Sequence, residues 1–210
     1  MILFVGGIVR IRKFVTGRLD TNCYLVTEGE TSLLIDAEVG LDKLAKEITR
    51  LDAVLITHAH FDHIKNLEKI ALKYNCKVYL HELAVDKLTD PSKNLSASFG
   101  FCKSLEFDIE KMALEILKGG ETLNIGDIKD IKVFSTPGHT NCSLCFQIGE
   151  NLFTGDTIFK NGVGRTDFKD GDFSSLLRSL RVLKELRYEN IYPGHGDSGK
   201  KLPNKNIKFY

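Results

Sequence analysis

The 210-residue sequence has almost no charge imbalance: 29 basic side chains face 28 acidic ones, for a formal net charge of +1. It therefore lacks the basic stripe by which a chain holds nucleic acid or an anionic membrane surface. Long apolar runs are missing too. The run Ile2 to Val9 has eight residues, and about 20 are needed to cross a bilayer. Its positive charges (Arg10, Arg12, Lys13) follow it, the wrong order for a secretion signal. A first strand and a cytoplasmic location are expected.

A cysteine framework is also absent. Cys23, Cys76, Cys102, Cys142 and Cys145 are odd in number and mostly isolated. Cys142 and Cys145 form one C-x-x-C spacing, but in an apolar segment with no second pair elsewhere. Buried thiols in a reducing compartment are expected rather than a zinc ribbon or a redox pair. No internal repeat, low-complexity tract or linker interrupts the chain. With 42% apolar and 27% charged residues, it reads as one soluble globular domain, residues 1–210.

What the chain does contain is an alternation of short strands and helices. Strands are expected at Ile8–Val15, Cys23–Thr27, Ser32–Asp36, Ala53–Thr57, Lys77–Leu80, Ile131–Ser135, Ser143–Ile148 and Asn151–Thr154. Apolar residues recur at helical spacing from Leu41 to Leu51, Ile64 to Ala71 and Phe173 to Leu186. The order implies α/β layers. Thr89 to Gly120, which opens on a Pro-Ser-Lys-Asn turn, reads as an insertion over one face, part loop and part helix. The basic tail from Lys200 reads as a solvated end.

The chemistry is concentrated in the histidines. Three of the six fall in Thr57-His58-Ala59-His60-Phe61-Asp62-His63, after an apolar strand and before a helix. Side chains alternate with period two along a strand, so His58 and His60 point the same way. Asp62 and His63 then occupy the first helical turn and face back toward them. Sites in α/β sheets commonly lie at the C-terminal ends of strands. Pro137-Gly138-His139-Thr140 and Pro193-Gly194-His195-Gly196 also follow apolar strands, in turns shaped by Gly and Pro. Asp156 follows another strand, in Thr154-Gly155-Asp156. Five histidines and two aspartates exceed what one tetrahedral ion takes and suit two ions. Zinc is the first choice; iron and manganese also accept imidazole with carboxylate. His81 lacks this context and reads as structural.

Taken in order, His-x-His-x-Asp-His, Pro-Gly-His-Thr, Thr-Gly-Asp and Pro-Gly-His-Gly resemble the motifs of the metallo-β-lactamase superfamily. The resemblance runs from Thr21-Asn22-Cys23-Tyr24 to His195. It implies a four-layer αβ/βα sandwich with metals at one edge of two sheets. It implies one ion on His58, His60 and His139, a second on Asp62, His63 and His195, and Asp156 as the bridge. Gly164-Arg165-Thr166-Asp167-Phe168 resembles the glyoxalase II group, the hydroxyacylglutathione hydrolases, and their short bacterial relatives. The typical glyoxalase II adds a C-terminal helical domain, whereas this chain ends fifteen residues past His195.

The implied reaction is thioester hydrolysis. Two cations lower the pKa of a shared water, the bridging hydroxide attacks the acyl carbon, and the thiolate leaves without needing a proton. Asp62 is expected to orient the hydroxide besides acting as a ligand. A guanidinium forks onto carboxylates, so Arg165 is expected either to bind a substrate carboxylate or to pair with Asp167 and order its loop. The alternative is a persulfide dioxygenase, which the same resemblance includes. It would hold one ferrous ion on His58, His139 and Asp156. Those enzymes end in Pro-Ala-His-Asp-Tyr, where this chain has Pro-Gly-His-Gly. Flavin-linked electron-transfer scaffolds and nucleases of this type need further domains or a basic stripe.

Overall fold

A computed structural model describes residues 8–200. Residues 2–7 of the expected first strand and the tail beyond Lys200 lie outside that range. In chain order the strands are β1 (Arg10–Thr16), β2 (Thr21–Glu28), β3 (Thr31–Ile35), β4 (Ala53–Leu55), β5 (Lys77–His81), β6 (Ala113–Leu117), β7 (Thr122–Ile125), β8 (Ile128–Ser135), β9 (Leu144–Ile148), β10 (Asn151–Gly155), β11 (Ile158–Phe159), β12 (Gly162–Val163), β13 (Asn190–Pro193) and β14 (Gly199–Lys200). The helices are α1 (Leu41–Leu44), α2 (Phe61–Ile64), α3 (Leu67–Tyr74), α4 (Val85–Leu88) and α5 (Phe173–Glu185). Among the described residues no helix is long and apolar enough to cross a membrane.

Two six-stranded sheets form. The first runs β1-β2-β3-β4-β5-β6 and the second β14-β13-β10-β9-β8-β7. Tight turns join β1, β2 and β3 as an antiparallel meander. From β3 onward the first sheet is parallel, because α1, then α2 with α3, carry the chain back over one face.

Alternation within the strands sorts side chains into layers. Cys23 and Leu25 of β2, Leu34 of β3 and Val54 of β4 face the helices with Leu44, Ile64, Leu67 and Ile70. Their neighbours Tyr24, Val26, Leu33, Ile35 and Leu55 face inward, against Ile131, Val133, Leu144, Phe146 and Phe153 of the second sheet. Cys145, Leu152 and Ile191 point outward from that sheet onto Leu183 of α5. Helix, sheet, sheet, helix is the expected four-layer sandwich. The two cysteines of the C-x-x-C spacing fall in different layers, and all five thiols are free.

Three expectations needed correction. Thr89–Gly120 is not only loop and helix: after two short 3-10 turns, at Ser96–Ser98 and Ile109–Lys111, it ends in β6. β6 pairs parallel with β5 at the sheet edge. Such an edge strand buries little, only Leu117, so its alternation is faint in the sequence. The helix expected to Leu51 stops at Leu44, and Leu51 reaches the core from irregular chain. The periodic run from Ile64 to Ala71 is broken at Asn66, whose side-chain amide donates to the Glu38 and Val39 carbonyls.

Candidate metal centre

All seven histidines and aspartates singled out in the sequence meet at one end of the two sheets. His58 and His60 follow β4 in extended chain, and Asp62 and His63 occupy the first turn of α2, with His60 as its N-cap. His139, Asp156 and His195 follow β8, β10 and β13 of the second sheet. Four donors therefore come from one sheet and three from the other.

Two groups of atoms form. His60 Nδ1 lies 3.1 Å from His58 Nε2 and 3.0 Å from His139 Nε2. Two imidazoles on one tetrahedral zinc would place their nitrogens roughly 3.3 Å apart. In the second group His195 Nε2 is 3.3 Å from Asp62 Oδ2, and His63 Nε2 is 3.5 Å from the same oxygen. Asp156 belongs to both. Its Oδ2 is 3.5 Å from His139 Nε2 and 3.4 Å from His195 Nε2, and its Oδ1 is 3.5 Å from His63 Nε2.

Hydrogen bonds behind the donors decide which ring nitrogens are free. His63 Nδ1 donates to Asp36 Oδ2 at 2.7 Å, His139 Nδ1 to the Arg165 carbonyl at 2.8 Å, and His195 Nδ1 to the Leu19 carbonyl at 3.0 Å. These partners only accept. Thr57 gives its hydroxyl proton to Asp36 at 2.8 Å, so its oxygen takes the proton of His58 Nδ1 at 3.1 Å. In four of the five rings the outer nitrogen is thus the donor, which leaves the inner nitrogen as the one that would bind an ion once any proton on it is displaced, as in metal-ligating histidines. His60 is turned the other way, with Nδ1 inward. Its Nε2, together with His63 Nε2 and Asp156 Oδ1, is buried without a hydrogen-bond partner. Buried polar atoms are rarely left so, and cations at the two foci would satisfy His63 and Asp156. The residues fit a pair of metal ions.

The electrostatics agree. Burial, then the neighbouring imidazoles, hold His58 well below the ordinary range and His60 at about 3, so both are neutral. Burial opposes the charge on Asp62 and Asp156, yet their histidine neighbours keep both carboxyls ionised and well below the usual range. Burial also opposes protonation of His63 and His195, but the facing carboxylates hold both above the ordinary imidazole range. Positive charge is favoured at this point, and a divalent cation supplies it.

The surrounding chain is built for close approach. A Cβ on Gly194 would fall 2.2 Å from Asp156 Oδ1 and 2.6 Å from His63 Cε1. One on Gly164 would fall 1.8 Å from the Asp156 carbonyl oxygen. Only backbone fits at these two places. The Thr21–Tyr24 segment also contributes: Thr21 Oγ1 donates to Asp62 Oδ2 at 2.7 Å, while Asn22 and Tyr24 donate to the Pro193 carbonyl. Asp36, Thr57 and Thr21 have roles that no motif announced. The one local signal for Asp36 is an acid ending an apolar strand.

The donors open onto a cavity of about 770 Å³ lined largely by apolar side chains, among them Phe61, Leu95, Phe99, Phe159 and Phe168. Arg165 is at its edge. Its guanidinium forks onto Asp167 with two contacts of 2.5 Å and stacks over Phe168, 4.6 Å from the ring centre. Of the two arrangements considered for Arg165, the loop-ordering pair is the one present. His81, expected to be structural, accepts the Leu83 amide at 3.0 Å away from the cluster.

Comparison with known proteins agrees with this geometry. The family model of the metallo-β-lactamase superfamily matches residues 16–195. A probable metallo-hydrolase of Bacillus subtilis, YqgX, is 31% identical over 88% of this chain and 89% of its own. The B3 metallo-β-lactamase BLEG-1 superposes with a TM-score of 0.83 at 28% identity, covering 91% of this chain and 94% of that one. TTHA1623, solved in a di-iron-bound form, superposes at 0.78 with 29% identity, covering 90% and 94%. The chain belongs to the metallo-β-lactamase superfamily of metal-dependent hydrolases.

Proposed function

We propose that the protein hydrolyses thioesters, with two divalent cations held by His58, His60 and His139 on one side and Asp62, His63 and His195 on the other. The observation that carries the reading is Asp156, whose carboxylate stands 3.4–3.5 Å from the inner nitrogens of both groups. A carboxylate shared in this way suits a two-ion centre better than the single-iron site of a dioxygenase, which would leave Asp62, His63 and His195 without a task.

When bound, such cations supply Lewis acidity and water of lowered pKa, and zinc, iron or manganese each suits these ligands. The remaining work falls to the chain. Asp62, kept ionised by His63, His195 and Thr21, would accept a hydrogen bond from the attacking water and orient it. Among the described residues lining the cavity there is no serine or cysteine, which favours direct attack by water over an acyl-enzyme. The leaving thiolate needs no general acid, because thiols ionise far more readily than alcohols. Phe61, Phe99 and Phe168 give the cavity beside the donors an apolar lining.

The test is turnover by zinc-loaded protein of S-lactoylglutathione and of a simple acyl thioester. Hydrolysis of either supports the reading. Failure of both, with oxygen uptake on glutathione persulfide, overturns it. His60→Ala and Asp156→Ala should each abolish turnover while the far-ultraviolet circular dichroism is unchanged; activity in either removes that residue from the site.

A further inference from the structure

The Thr89–Gly120 segment supplies one wall of the cavity, through Leu95 and Phe99. Leu95 is held with φ at +66°, a left-handed conformation that a branched side chain rarely adopts and that glycine or asparagine would take more easily. The surroundings impose it. The fully buried Asn94 donates to the carbonyls of Lys87 and Leu105, both at 2.9 Å, and accepts the Ser96 amide at 3.0 Å. Ser96 Oγ accepts the Leu105 amide at 2.7 Å. The Asn94 carbonyl takes the amide of Phe61 at 2.9 Å, the residue between His60 and Asp62. A leucine kept where a turn alone would prefer glycine points to a use for its side chain.

That side chain joins an apolar wall. Phe61 and Phe99 pack with ring centres 5.1 Å apart, and Phe99 continues to Phe101 at 5.5 Å. Among the described lining residues Arg165 is the one arginine or lysine, and Asp167 already neutralises it. A glutathione moiety carries two carboxylates, for which this wall holds no free cation.

We infer that the cavity selects thioesters of an uncharged thiol with an apolar acyl group, and that Leu95 sets the length of acyl chain it accepts. The inference deepens the thioesterase reading and rests on it. Burying one methylene is worth about a three- to fourfold change in kcat/KM. With zinc-loaded protein and acyl thioesters of one neutral thiol, from acetyl to dodecanoyl, kcat/KM should climb by about that factor per methylene until the cavity is full. It should exceed the value for S-lactoylglutathione. Leu95→Gly, which fits the backbone better, should move the optimum to longer chains, and Leu95→Phe to shorter ones. A flat series, a preference for S-lactoylglutathione or an unmoved optimum in both variants overturns the inference. If no thioester is turned over, the thioesterase reading fails. Calorimetry with decanoate, acetate and succinate then decides the cavity's preference by itself: tighter decanoate supports it, and equal affinities overturn it.

Discussion

Asp36 Oδ2 stands 2.7 Å from His63 Nδ1, with both side chains almost wholly buried. Asp36 faces none of the two ion positions, yet it decides which nitrogen of His63 does. Asp36→Asn keeps the left-handed backbone, which asparagine tolerates. Its amide can still accept from Thr57, which then turns a donor toward His63 and reverses the ring's tautomer. The expected outcome is a second metal bound about 10–100-fold more weakly with the first retained. Zinc titration followed by metal analysis checks it; two ions bound at wild-type affinity would remove Asp36 from this role.

Gly194 and Gly149 make a contrasting pair. Alanine at 194 drives a methyl into Asp156 and His63, so activity should fall on the order of 100-fold, as misplacement by about 1 Å commonly costs. Alanine at 149 meets nothing within 4 Å but must adopt φ near +57°. It should cost about 1–2 kcal/mol of stability and leave metal content unchanged. Steady-state kinetics and urea denaturation separate the two.

Lys87 and Asp170 form a partly buried ion pair that ties α4 to the loop carrying Phe168; the lysine side chain is 5% exposed and the aspartate 24%. Asp170→Asn strands the ammonium and should destabilise the protein by about 1–3 kcal/mol, since water reaches the aspartate side of the pair. Adding Lys87→Met should restore most of that loss, because the charge is then gone. Equal stability of the single and double variants would show that the pair is not coupled.

The thiols should divide by burial. Burial pushes Cys23 up to about 12 and Cys76 and Cys145 to about 11. A raised thiol pKa leaves less thiolate at any given pH, so a disulfide reagent at pH 8 should modify the partly exposed Cys102 first. Cys23, Cys76 and Cys145 should react only after unfolding or as the pH nears those values. A double Cys142→Ala, Cys145→Ala variant should bind the same number of metal ions as the wild type.

The convergence of these side chains was legible in the sequence because each lies in the chain that follows a strand, and strand ends in a layered sheet converge. His58 through His63 carried their geometry locally, in a two-residue alternation followed by a helical turn. Asp36 could not be read that way. It meets Thr57 only because β3 lies parallel to β4 with Ile35 opposite Leu55, a pairing 20 residues apart in the chain. β6 escaped for a related reason: at the edge, with one side chain buried, it shows no alternation that differs from a loop. The wall formed by Leu95 depends on hydrogen bonds that Asn94 and Ser96 make to Lys87 and Leu105, and spacing says nothing about those.

The division of the donors between the sheets gives the ions a second consequence. A cation touching His58 and His139 at once acts as a rivet across the seam of the sandwich. The halves cannot part there without releasing it. Bound metal stabilises the folded state by RT ln(1 + [M]/Kd), about 4 kcal/mol when free metal exceeds Kd a thousandfold. The folded fraction would then follow the supply of cations.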